Sequence, residues 1–356
     1  MGEVFYLPLS LSPSFRKQQK SRKLELRFRH ILILILAIAC NNQTSVKTPE
    51  TPVNPMARKI DSIRYIMPNV NAACMIYIDS NGHVFRKIWG KNVSSDAVCD
   101  TTIFEGASLS KTVTAYIFWQ MVKDKTITSY NVRLPSCRGN SSASVNLLRL
   151  LSHSIKSTDK CLIDSKHDTF KYSEDNYLLL QQYLETISGK SLEMLAQKYV
   201  FGPLKMQHST FIWNDSITDY VDGYFQDFKK HRNIYRFKQA ASNGSLYTCA
   251  SDLIKFSKAL LASDVTDSIS LKLKPVHHYK HLFWGQGMGI DSSMNSNLFW
   301  QWGCNWSYNH ILVIDKKKKD IVIGLTNSII GAKRLRFASN YLKGSELELF
   351  NYINWY

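Results

Sequence analysis

Acidic residues are scarce in this chain. Its 28 Asp and Glu stand against 45 Lys and Arg, a formal charge of +17 over 356 residues. Residues 1–40 hold seven of the basic side chains (Arg16, Lys17, Lys20, Arg22, Lys23, Arg27, Arg29) against Glu3 and Glu25, a net +5 that leaves +12 for the remainder. A basic body of this kind implies an anionic neighbourhood, such as a membrane surface or a wall polymer. No zinc-finger spacing and no basic helix with a reading face is present, so a nucleic-acid partner is not expected. No C-x-x-C pair occurs among the seven cysteines, and neither a metal nor another cofactor is expected. The G-x-S-x-G elbow is missing, which argues against an α/β-hydrolase. Gly285-Gln-Gly287-Met-Gly289 lacks a strand–turn–helix context, which argues against a dinucleotide site.

The leader is informative. Basic residues through Arg29 precede nine apolar residues at 31–39, too few to span a bilayer and the right length for a signal-peptide core. Cys40 follows at once. Leu36-Ala-Ile-Ala39-Cys40 resembles a bacterial lipobox, so residues 1–40 read as a lipoprotein-type signal peptide and Cys40 as its lipidation site. Residues 41–57 are polar, proline-bearing and aperiodic, and read as a flexible tether. Residues 58–356 read as one domain, with ordinary globular proportions of 44% apolar and 21% charged residues over the whole chain. An exported chain can form disulfides, but the spacing of Cys74, Cys99, Cys137, Cys161, Cys249 and Cys304 does not distinguish among the fifteen possible pairings.

Chemistry enters at Phe104-Glu-Gly-Ala-Ser108-Leu-Ser-Lys111, a small-residue turn running into an apolar-periodic helix. With the helix starting near Ala107, Ser108 lies in its first turn and Lys111 sits three residues on, over the same face. The helix N-terminus adds unpaired N–H groups that favour developing negative charge. Ser108 is therefore a candidate nucleophile. S-x-x-K alone is weak evidence, since it also occurs at Ser14–Lys17 and Ser157–Lys160.

Order along the chain adds specificity. Residues 60–67 predict a first helix, residues 73–89 a hairpin turning on Asn81-Gly82, residues 147–153 a short apolar helix, residues 310–327 a second hairpin and residues 332–342 a closing helix. With Tyr172-Ser-Glu-Asp-Asn-Tyr177, Val200-Phe-Gly-Pro-Leu-Lys-Met206, Ala240-Ala-Ser-Asn-Gly-Ser-Leu-Tyr247 and Trp284-Gly-Gln-Gly-Met-Gly289, this succession resembles the serine β-lactamase-related family. That family includes class C β-lactamases, D-alanyl-D-alanine carboxypeptidases and related esterases. The resemblance covers roughly residues 58–345.

It implies an α+β fold, an antiparallel sheet of the N-terminal hairpin and C-terminal strands flanked by helices, with a mainly helical lobe over about 120–240. It also implies an acyl-enzyme at Ser108, Lys111 and Tyr172 as acid and base, and an oxyanion hole from the N–H groups of Ser108 and Cys304. Which of Lys111 and Tyr172 takes the proton is left open, since both ordinarily titrate far above neutrality.

Two positions depart from the family pattern. Glu174 stands where relatives mostly carry Asn, and a carboxylate there would pair with Lys111 and favour its charged form. Asn176 is a candidate to take over the amide's role. Gln301 stands where a Lys or His precedes the motif glycine, here Gly303. With Glu174, Gln301 and Gly303 as the substrate-binding set, loss of the cation disfavours a substrate carboxylate and shifts weight toward an ester or an unusual amide. Trp300, Trp302 and Trp306 would make an aromatic rim, although aromatics at such spacing are more often core or wall than a specific binding box. His153 and His310 read as structural. Two functions follow, a serine hydrolase of the cell envelope or a non-catalytic lipoprotein that uses the pocket to bind a wall ligand or protein.

Overall fold

A computed structural model describes residues 54–137, 142–224, 236–270, 273–294, 297–305 and 307–353. The signal segment, Cys40, residues 41–53 and Trp306 lie outside the described residues. Asn54–Tyr356 forms a compact unit.

The unit opens with helix α1 (Pro55–Ile66). Asn54 Oδ1 accepts the Met56 N–H at 2.8 Å, and Pro55 occupies the first turn, where its missing N–H costs nothing. Residues 55–57, expected to belong to the tether, are instead the first turn of this helix. Strands β1 (Ala73–Ile78) and β2 (Val84–Trp89) form the expected hairpin, and β3 (Phe104–Ala107) runs into α2 (Leu109–Lys123). The lobe over 120–240 holds α3 (Leu148–Leu151), α4 (Glu174–Ser188) and α5 (Leu192–Ala196) together with two small hairpins, one before α3 and one between α3 and α4. These are β4 (Asn131–Pro135) with β5 (Ser142–Asn146), and β6 (Lys156–Ser157) with β7 (Leu162–Asp164). A disulfide between Cys137 and Cys161 ties the two hairpins together; Cys74, Cys99, Cys249 and Cys304 are free thiols.

The chain then returns through β8 (Leu246–Thr248), which pairs with β3, and α6 (Ala250–Ala262) and α7 (Val265–Ile269). It finishes the sheet with β9 (Lys274–Pro275), β10 (Leu282–Trp284), β11 (Gly289–Asp291), β12 (Leu298–Cys304), β13 (Asn309–Asp315) and β14 (Asp320–Thr326). Helices α8 (Gly331–Lys343) and α9 (Leu349–Ile353) close the unit. The eight sheet strands run β2-β1-β14-β13-β12-β11-β10-β9, antiparallel throughout.

Alternation along the strands divides the core in two. Ile321, Ile323 and Leu325 of β14 join Cys74, Ile76 and Phe118 on the α2 side, whereas Val322 joins Met75, Ile63 and Leu335 under α1 and α8. Gly324 belongs to this second face, and a Cβ there would meet Leu335 Cδ2 at 2.4 Å, so α8 rests on bare backbone. Gly324→Val is expected to destabilise the protein by roughly 1–3 kcal/mol through overpacking, measured by urea denaturation. Adding Leu335→Ala should recover part of that loss.

Candidate active site

The strand β3 ends at Ala107, whose φ of 47° lies in the left-handed region that a residue with a Cβ seldom adopts. This sharp turn puts Ser108 at the N-cap of α2, one residue earlier than the first turn expected for it. Ser110 locks the turn, donating to the Ala107 carbonyl at 2.6 Å and accepting the Leu246 N–H at 2.9 Å. Helix α2 is buried on nearly every side, so Lys111 extends into the interior and is fully buried.

Lys111 meets three acceptors. Its Nζ lies 3.0 Å from Ser108 Oγ, 2.7 Å from Glu174 Oε2 and 2.6 Å from the Asn243 carbonyl oxygen. These use all three hydrogens of an ammonium. Burial lowers the Lys111 pKa to about 8, outweighing the opposite pull of Glu174. Glu174 is the first residue of α4, capped by Ser173, and its side chain is half exposed.

Tyr172 closes the other side. Its ring centroid is 5.0 Å from Lys111 Nζ, and Gln301 Nε2 donates to its oxygen at 3.4 Å. Burial first, and then the Glu174 carboxylate, hold the phenol well above its ordinary pKa against the lowering influence of Ser108 and Gln301. The His153 ring stacks on Tyr172 with 4.4 Å between centroids. A cavity of about 430 Å³ opens alongside, lined by Tyr172, Ser173 and Glu174 with Lys156 and Lys171 on its walls.

Several sequence expectations land elsewhere. Gln301 is fully buried, with its amide turned onto Tyr172 and the Trp302 carbonyl, so it braces the phenol from behind instead of facing open space. Asn176 is buried with its Oδ1 accepting from Ser157 Oγ at 2.5 Å, away from the amide role suggested for it. Trp300 and Trp302 form no rim. Two residues apart on one face of β12, they stack at 5.6 Å and pack against Trp284 in the core. His277 and His281 are four apart, the spacing of a helical metal pair, but they lie on the turn between β9 and β10; among the described residues no group of three metal-ligating side chains occurs.

The end of β12 abuts the serine turn. A Cβ on Gly303 would meet the Gly106 carbonyl oxygen at 2.4 Å, so only glycine permits this approach. Asn305 N–H donates to the Tyr308 carbonyl at 3.2 Å. By antiparallel alternation the Cys304 N–H then faces away from β13, toward the β3 side. Side chains hold this junction, among them His310, which reads as structural in the sequence, and Asn305 and Glu105, which the sequence reading missed. His310 lies against the Glu105 carbonyl at 2.7 Å through Nε2 and accepts the Thr326 N–H at 3.3 Å through Nδ1. Asn305 donates to the Glu105 carboxylate, which burial raises to about 7 against the pull of Arg236 and Asn305. Asn243 acts through its backbone, which no side-chain motif announces.

A family model described as Beta-lactamase matches residues 70–337, well over half of the sequence. The chain belongs to the β-lactamase family, a family of serine hydrolases. Among solved structures it is similar to a beta-lactamase/D-alanine carboxypeptidase from Pseudomonas syringae (13% identity, TM-score 0.70, covering 82% of this chain and 99% of that one). It is also similar to an octameric penicillin-binding protein homologue from Pyrococcus abyssi (20%, 0.69, 83% and 79%). A third is EstCE1, a hydrolase with promiscuous acyltransferase activity (14%, 0.67, 81% and 98%). At these identities the likeness establishes the fold. No curated protein matches the sequence.

Burial lowers the His310 pKa from 6.5 to about 4, so the folded protein binds fewer protons than the unfolded chain between those values. Stability from this residue is complete above pH 6.5, and about 3 kcal/mol of it is lost as pH falls to 4. Wild type should therefore lose about that much more than His310→Gln between pH 6.5 and 4 in denaturant titrations.

Proposed function

We propose that the protein is an exported, membrane-anchored serine hydrolase that forms an acyl-enzyme at Ser108. The observation that carries this reading is the buried Lys111, 3.0 Å from Ser108 Oγ and with its pKa lowered to about 8. About a tenth of the molecules then hold a neutral amine at pH 7. In that form Glu174 and Asn243 retain the two remaining N–H groups on one side, and the lone pair faces Ser108.

Lys111 takes the Oγ proton as the serine attacks the acyl carbonyl, and the N–H groups of Ser108 and Cys304 receive the oxyanion. Tyr172, kept protonated by burial, gives its proton to the leaving alkoxide or amine and is recharged by the Lys111 ammonium. Water then attacks the acyl-enzyme by the reverse sequence. Glu174 sets the base strength of Lys111, Gly303 admits the oxyanion strand, and Gln301 orients Tyr172. With Gln301 buried, no cation stands where the motif would supply one for a substrate carboxylate. This favours an ester or unusual amide, from a small molecule or from wall-derived material. Anchoring through Cys40 and residence in the cell envelope rest on the leader.

The second reading, an impaired lipoprotein that uses the same pocket for binding, draws on the Lys111–Glu174 pair, which favours the charged amine. The net lowering of the Lys111 pKa weighs against it.

Mass spectrometry after treatment with a fluorophosphonate, a reactive ester and a penicillin is expected to show adducts with the first two, absent in Ser108→Ala. If the folded protein gives no adduct with any of them, the hydrolase reading fails and the binding role stands. For ester hydrolysis, kcat/KM should rise with pH through a midpoint near 8. Glu174→Gln removes a contribution that raises the lysine's pKa, so that midpoint should move lower; a shift to higher pH would count against Lys111 as the base.

A further inference from the structure

Among the described residues three Phe, Tyr or Trp side chains are exposed, and all three stand on α1 and α8: Tyr65 at 88%, Phe337 at 46% and Tyr341 at 37%. On α8, Lys333, Phe337 and Tyr341 recur every fourth residue and form one exposed stripe. On α1, Arg58, Arg64 and Tyr65 are exposed. Lys59 joins the two helices, with its ammonium 5.5 Å from the Tyr341 ring centroid and 3.3 Å from the Tyr341 carbonyl oxygen. Helix α8 contains no acidic residue, and the one on α1, Asp61, pairs with Lys87 at 3.2 Å.

Exposed aromatic rings in a protein with so large a buried core call for an explanation. Rings with an apolar body, flanked by Lys and Arg and facing outward from helices lying side by side, match the headgroup boundary of a bilayer. We infer that the α1–α8 face docks onto a membrane containing anionic lipid, seating Tyr65, Phe337 and Tyr341 at that boundary with Arg58, Lys333 and Arg336 over the headgroups.

Charge complementarity supports this occupant. So does the length of chain leading to the face. Asn54, the cap of α1, lies 14 residues beyond Cys40, so a chain anchored there holds this face within about 50 Å of the bilayer. The sheet separates α1 and α8 from α2, so docking by this face leaves the Ser108 side turned outward. The inference does not depend on Ser108 being active.

The test is cosedimentation of the compact unit Asn54–Tyr356, first shown by circular dichroism to be folded, with vesicles of phosphatidylglycerol in phosphatidylcholine and of phosphatidylcholine alone. A soluble glycerol-phosphate polymer serves as competitor. Preferential binding to the anionic vesicles is expected. The triple variant Arg58→Glu, Lys333→Glu, Arg336→Glu should weaken it roughly a hundredfold or more. Phe337→Ser with Tyr341→Ser should weaken it about tenfold at an unchanged unfolding midpoint. Equal binding to both vesicle types, or wild-type binding by the triple variant, would overturn the proposal. Full competition by the polymer together with indifference to the serine pair would also overturn it, and would assign the face to an anionic wall polymer.

Discussion

Everything at the candidate site depends on keeping one amine out of water. A lysine at the surface is protonated near neutrality and cannot act as a base. Helix α2 solves this by being buried almost all round, so that a residue one turn from the serine is necessarily interior. The cost of such a buried charge is limited by three acceptors, one of which is a half-exposed carboxylate. The sheet, the β3–β8 pair and α4 meet at this point, and each contributes one wall or one acceptor.

The same burial distinguishes two candidate acid–base groups that sequence alone could not rank. Lys111 and Tyr172 both lie in the interior, but burial acts oppositely on them, because the amine loses a charge on deprotonation whereas the phenol gains one. One becomes easier to deprotonate and the other harder. Glu174 reinforces the phenol's resistance and moderates the amine's shift, so a departure from the family pattern strengthens the distinction between them.

The fold was legible in the sequence to the extent that it rests on periodicity. The strands 73–78, 309–315 and 320–326 and the helix 331–343 carry strong apolar repeats, and their places match expectation. The small hairpins of the lobe did not stand out, since Val132, Leu134 and Val145 supply too few buried positions to make a pattern. At the site, motif order brought Ser108, Lys111, Tyr172 and Gly303 into view. The facing of Gln301 was not legible, because a strand residue's environment depends on what the neighbouring strands deliver. Nor was Asn243, which acts through its carbonyl.

The placement of β1 beside β14 has a temporal meaning. Ala73 pairs with Thr326, about 250 residues later, and Gly106 must receive Gly303 before the serine turn is complete. Such long-range pairings form late, because the entropy of closing the loop is lost before any contact compensates for it. A chain still emerging from synthesis therefore has Ser108 and Lys111 but no enclosure to lower the amine's pKa. The amine keeps its ordinary basicity until the last strand has arrived.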